Sequence, residues 1–167
     1  MEGLKGFEFA NYFVKLPLVN KQFLNVVAID EIPKSIPVRH FLISNLSPAH
    51  LSGSHWIVII RPEKNTLEIF NSLGGDTFKD IQNHLKFTCK LQIHSNETPF
   101  QSDSSSSCGY FCIFFAVNRM LNLDMSFEHL LEHLFTDNLE INETNVRRFC
   151  ENLLESSDDD SIFFDNI

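Results

Sequence analysis

Short runs of consecutive apolar residues in the first half of the chain give way to helical spacing in the second half. Phe23–Ile29 (FLNVVAI), His40–Ser44, His55–Arg61 (HWIVIIR) and Thr66–Phe70 (TLEIF) are rich in β-branched and aromatic residues and read as strands. HWIVIIR is apolar on both faces, as a buried central strand requires. Pro33 and Pro37 make Glu31–Val38 a connector, Pro62–Asn65 is a turn, and Ser72-Leu-Gly-Gly75 breaks the sheet. Lys90–His94 reads as a further strand, and Glu8–Val14 as a short helix. Asp76 caps a helix expected to run to Phe87, with Phe78, Ile81 and Leu85 inward. A polar, Ser-rich loop, Ser95–Ser107, then leads into Cys108–Leu121, a helix apolar on nearly all faces and therefore central. Amphipathic helices follow at Ser126–Phe135 and Glu143–Leu154. Strands in the middle with helices before and after predict an α+β fold, a central mixed sheet flanked by helices. One domain is expected over residues 1–155, with 156–167 as an acidic tail.

Composition narrows the function. The formal charge is −9, and lysines and arginines form no basic block, which argues against nucleic acid as an obligatory partner. Seventeen phenylalanines supply core material. The start of the chain carries Glu2 and no apolar signal region, and no run reaches transmembrane length, so neither secretion nor a membrane partner is expected. Cys89, Cys108, Cys112 and Cys150 lack framework spacing and read as reduced thiols of a cytosolic or nuclear protein. The sequons at Asn45, Asn96 and Asn142 would go unused there.

The candidate chemistry lies in Gln101-Ser-Asp-Ser-Ser-Ser-Ser-Cys108-Gly109 and in His55-Trp56. A Cys at a helix start meets unpaired N–H groups and the positive end of the dipole, which favour its thiolate. His55 is the candidate base, and the Cys108 N–H and the Gln101 side-chain amide are candidate oxyanion donors. Gly109 permits close approach of substrate or backbone. If Arg61 pairs with Thr66 across the turn, with one bulge, His55 falls opposite Asn71. The Asn71 side-chain oxygen would then orient the imidazole, the third role in a triad.

The order His, Asn, Gln, Cys resembles the adenovirus maturation proteases (adenains) and their relatives in Polinton/Maverick elements, virophages and adintoviruses. It resembles the ubiquitin-like-protein proteases more distantly. The pattern appears as Gly53-Ser54-His55-Trp56, Ile69-Phe70-Asn71-Ser72-Leu73-Gly74 and Gln101 through Cys108-Gly109-Tyr110-Phe111-Cys112. It covers about residues 40–120. Asn71 stands where adenains carry Glu and the ubiquitin-like-protein proteases Asp; it can orient the imidazole but not neutralise its charge. Ser107 stands where the ubiquitin-like-protein proteases have Asp before Cys-Gly, which leans toward the viral branch.

The resemblance implies an adenain-like fold and a thiol endopeptidase of a virus or virus-like element, with no metal or organic cofactor. Its substrates would be capsid or core precursor proteins cut beside small residues, often Gly. It would act in the host cytoplasm or nucleus or be packaged in the virion. Trp56 would wall the substrate groove. The family uses DNA and a disulfide-linked peptide as activators. The acidic charge of this chain argues against DNA, and Cys89 lies one position from where the activator-linking cysteine would fall.

Plainer readings stand beside these. Cys108 has the alternative of a core thiol, Trp56 of core packing, Asn71 of a turn residue, Gln101 of chance spacing, and Cys112 of core packing. The same site also fits a ubiquitin-like-protein protease, or a catalytically retired binding domain. His129-Leu-Leu-Glu132-His133 matches an inverted zinc-peptidase motif, with Glu140 or Glu143 as a third ligand. That segment reads equally as an amphipathic helix with Phe127, Leu130, Leu131 and Leu134 inward. Ser104–Ser107 is either a linker or a mobile loop shaping the oxyanion hole.

Overall fold

A computed structural model describes residues 3–85 and 91–156. The strands are β1 (Phe23–Ala28), β2 (His40–Asn45), β3 (Trp56–Arg61), β4 (Thr66–Phe70) and β5 (Gln92–Ser95). They form one sheet in sequence order, with β1/β2 and β4/β5 parallel and β2/β3/β4 antiparallel. The helices are α1 (Phe9–Phe13), α2 (Pro17–Asn20), α3 (Thr77–Ile81), α4 (Cys108–Leu121), α5 (Phe127–Leu134) and α6 (Leu139–Glu155), with 3₁₀ turns at Gly6–Glu8 and Ile29–Glu31. The chain is α+β with a mixed sheet between two apolar layers. Phe41, Ile43, Val58, Ile60 and Phe70 point toward α1, α4, α5 and α6. Leu42, Ile57, Ile59, Leu67 and Ile69 meet Ile29, Ile32, Ile36, Ile81 and Leu85 on the other side.

The alternation explains the register. Val58 pairs with Phe70, Ile59 with Ile69 and Ile60 with Glu68. This differs from the register expected from the turn, which set His55 directly opposite Asn71. It matches Val58 with Phe70 on the α4 side and Ile59 with Ile69 on the other, whereas a one-residue slip would bury the wrong face. The strands end at Arg61 and resume at Thr66 as expected, and Arg61 donates to the Lys64 carbonyl at 2.7 Å across the turn. Extending this ladder sets Asn71 beside Ile57 and His55 beside Leu73, so His55 and Asn71 are diagonal neighbours beyond the strand ends rather than directly opposed.

α4 spans the residues its apolar pattern indicated. α3 is shorter than expected: His84 N–H bonds the Ile81 carbonyl and Leu85 N–H the Gln82 carbonyl, three-residue turns that tighten and end the helix. α6 starts earlier than Glu143, because the Asn138 side chain caps it by accepting from Glu140 and Ile141 N–H at 3.0 and 3.1 Å. α2, with Pro17 in its first turn, lacked a long apolar period and was not anticipated. Most of the expected tail, and the end of the helix expected to reach Phe87, lie outside the described residues.

Candidate active site

The loop before β3, the turn after β4 and the N-terminus of α4 meet at one end of the sheet. Cys108 is the first residue of α4 and half-buried. Burial pushes its thiol above the ordinary value, opposed by the backbone N–H groups of Trp56, Gly109 and Cys108 itself, which favour the thiolate. The Trp56 amide thus brings the His55-Trp56 segment to the sulfur.

His55 is nearly buried, and its Nε2 lies 2.7 Å from Asn71 Oδ1. The Asn71 amide is oriented by its other bonds. Its Nδ2 donates to the Gly74 carbonyl at 2.8 Å and to Thr77 Oγ1 at 2.9 Å, and its Oδ1 accepts from Leu73 N–H at 2.9 Å. An oxygen facing the ring can only accept, so the neutral imidazole carries its proton on Nε2 and leaves Nδ1 as the free base. Burial lowers the His55 pKa and the Asn71 bond offsets part of that, leaving it below the ordinary value. Raised thiol and lowered imidazole together favour a neutral resting pair.

Asn96 and Gly74 hold Asn71 in place. Asn96 is buried, accepts from Asn71 N–H at 2.9 Å and donates to the Asn71 carbonyl at 2.7 Å. Gly74 has φ of +69°, and a Cβ there would meet the Glu97 carbonyl oxygen at 2.3 Å, so the turn needs glycine. Neither Asn96 nor Thr77 stood out in the sequence, where Asn96 registered only as a sequon.

Gln101 is 2% exposed. Its Oε1 accepts from Ser72 Oγ at 2.7 Å and its Nε2 donates to the Ser105 carbonyl at 2.8 Å, which leaves one further N–H on that nitrogen. The Gln101 N–H bonds the Ser72 carbonyl at 3.0 Å. Gln101 is therefore tied to the turn that carries Asn71. The Ser104–Ser107 run is no free linker: Ser105 and Ser107 donate to Glu143 of α6.

A cleft of about 1120 Å³ opens over this end, lined among others by His55, Trp56, Ser105, Ser106, Cys108 and the Gly3–Phe7 segment. Asn71 and Gln101 are not among its lining residues. Trp56 lines the cleft and packs edge-on against Phe9 at 5.3 Å between ring centroids. Its indole donates to the Leu4 carbonyl at 3.0 Å. At Gly109 the close neighbour is the chain's own Leu4: a Cβ there would lie 2.9 Å from Leu4 Cβ. The N-terminal segment thus forms one wall of the cleft, which no motif indicated.

The other candidates lie elsewhere. Cys112 is fully buried, its thiol pushed well up by burial. His129 is exposed on α5 beside Glu132, and among the described residues no three His, Cys, Asp or Glu side chains gather to hold a metal. Glu143, considered as a zinc ligand, instead binds the serine loop. Cys89 lies outside the described residues. No described helix is long and apolar enough to cross a membrane.

No known protein family and no curated protein matches the chain. Among solved structures it is similar to the central domain of the uncharacterized Lpg1148 protein from Legionella pneumophila. The two share 14% identity over 93% of this chain and 100% of that one, with a TM-score of 0.50. That likeness concerns the fold alone.

Proposed function

We propose that this chain is a thiol endopeptidase of the adenain type, a maturation protease of a virus or virus-like element. The observation that carries the reading is the 2.7 Å bond from His55 to Asn71, with His55 and Cys108 lining one cleft. A base with a defined tautomer, a group that orients it and a thiol at a helix N-terminus are the parts that acyl transfer needs.

His55 Nδ1 takes the Cys108 proton as the sulfur adds to the scissile carbonyl. The oxyanion is held by the Cys108 N–H and by the remaining Gln101 Nε2–H. The imidazolium then protonates the departing amine as the C–N bond breaks, leaving a thioester. Water, deprotonated by the same imidazole, hydrolyses the thioester and restores the thiol. The proposed substrates are precursor proteins cut beside small residues, bound in the cleft walled by Trp56 and the Gly3–Phe7 segment.

The test is cleavage of a Gly-containing peptide panel by the wild type and Cys108→Ala, with and without chelator. Thiol-dependent, chelator-resistant cleavage lost in Cys108→Ala is expected. Cleavage that survives Cys108→Ala sinks the assignment. Preference for a folded ubiquitin-like conjugate over all peptides would move the chain to the ubiquitin-like-protein proteases.

A further inference from the structure

We propose that Glu143 of α6 is a positioning residue for catalysis: its carboxylate holds Ser105 and Ser107 so that the Cys108 amide and the Gln101 side chain present their N–H groups to the oxyanion. The assignment rests on the thiol-protease reading above. Ser102–Ser107 contains no apolar side chain that could fix the loop by burial. Its position depends on hydrogen bonds, and those of the Ser105 and Ser107 hydroxyls converge on one carboxylate. Ser105 Oγ donates to both Glu143 oxygens at 2.9 Å, and Ser107 Oγ donates to Oε1. Ser105 in turn accepts from Ser107 N–H at 3.2 Å on its hydroxyl and from Gln101 Nε2 at 2.8 Å on its carbonyl. One carboxylate therefore governs the residue before the nucleophile and the residue that anchors Gln101.

The direction of Ser107 supports this role. Ser107 occupies the N-cap position of α4, yet its side chain makes no capping bond. A capping serine would accept from the first free N–H groups of the helix. Here the hydroxyl is turned to Glu143, and the Gly109 N–H is left to favour the thiolate. Arg147, one turn along α6, completes the brace. Its Nη2 lies 2.8 Å and its Nε 2.9 Å from Glu143 Oε1, it donates to Ser107 Oγ, and its guanidinium sits 5.6 Å from the Tyr110 ring centre. The arginine offsets the carboxylate's charge near the α4 N-terminus, where a bare anion would oppose the thiolate. The short polar run before Cys108 is thus organised by a helix distant in sequence.

The experiment compares the wild type, Glu143→Ala and Glu143→Gln in the full chain. It measures kcat and KM on the best peptide, melting temperature, and affinity for a peptide aldehyde, which adds reversibly to a thiol and places its oxygen where the oxyanion would sit. In Glu143→Ala kcat is expected to fall about 10²-fold, as when an oxyanion donor is lost, with KM changed less than about twofold and aldehyde affinity falling with kcat. Glu143→Gln keeps an acceptor oxygen for the serines and is expected to recover at least about tenfold of that loss. If Glu143→Ala fails to fold, Glu143→Gln still decides, because a folded Gln variant with kcat as low as a Cys108→Ala background overturns the acceptor role. Wild-type kcat in Glu143→Ala, or a loss confined to KM, overturns this assignment alone. A wild type that neither cleaves nor binds the aldehyde removes the protease reading, and this assignment with it.

Discussion

In the proposed triad Asn71 takes the place that most triads give to a carboxylate. Its oxygen sets the imidazole's tautomer while its amide is held by Gly74 and Thr77. An amide orients the ring and offsets only part of the effect of burial, which holds the His55 pKa below the ordinary value. The base stays neutral down to a pH below 6.5, the ordinary histidine value, so the acid limb of kcat/KM is expected below that pH. Asn71→Asp places a negative charge against the ring, favours the imidazolium, and should move that limb to higher pH. A pH–rate profile of both proteins checks this, and an unmoved limb would mean that His55 is not the group titrating. Cys108 and His55 could be singled out from residue type and local context. Asn96 and Thr77 could not, because a single buried polar residue carries no local signature of what it will bind.

At the scale of elements, the site depends on where strands stop and helices start. β3 and β4 stop just short of the proposed catalytic residues, so His55 and Asn71 sit on irregular backbone anchored by a buried hairpin. α4 presents Cys108 at its first turn because its apolar length fixes it against the sheet. α6 supplies Glu143. Burial opposes ionisation of this carboxyl, but hydrogen bonds from Ser107 and Ser105 and the Arg147 contact outweigh it and hold the pKa below the usual 4.5. A carboxylate depressed on folding stabilises the protein above its unfolded pKa and loses that contribution as pH falls through the folded one. The stability difference between wild type and Glu143→Gln should therefore be present at neutral pH and close in acid, below pH 4.5. Denaturant titrations across pH measure it, and a gap that persists in acid would show that the carboxylate's charge is not involved.

At the scale of the whole molecule, a buried ion pair joins the sheet to α4 at the end of that helix far from Cys108. Arg119 Nε lies 2.7 Å and its Nη2 2.8 Å from the Glu68 carboxylate of β4, and Nη1 donates to the Asn122 and Met125 carbonyls. Both residues are at most 3% exposed. Glu68→Ala would strand a buried guanidinium and should cost about 3–5 kcal/mol of stability. The peptide kcat of the folded fraction should stay near wild type, since Glu68 lies apart from the cleft. Thermal and denaturant unfolding test this; a loss below about 1 kcal/mol would mean that the pair is not buried in solution. Periodicity and residue type alone determined the strands, the helices other than α2, the α+β class, the central position of α4 and the choice of a candidate thiol and a candidate imidazole. Those features follow from local spacing, which fixes which face an element must bury. Tertiary structure decided the hairpin register, the diagonal meeting of His55 with Asn71, the N-terminal wall beside Trp56, and the turning of Ser107 toward Glu143. Each of these joins residues far apart in sequence through the way two layers fit, and side-chain type does not reveal which distant partner packing will bring within hydrogen-bond reach.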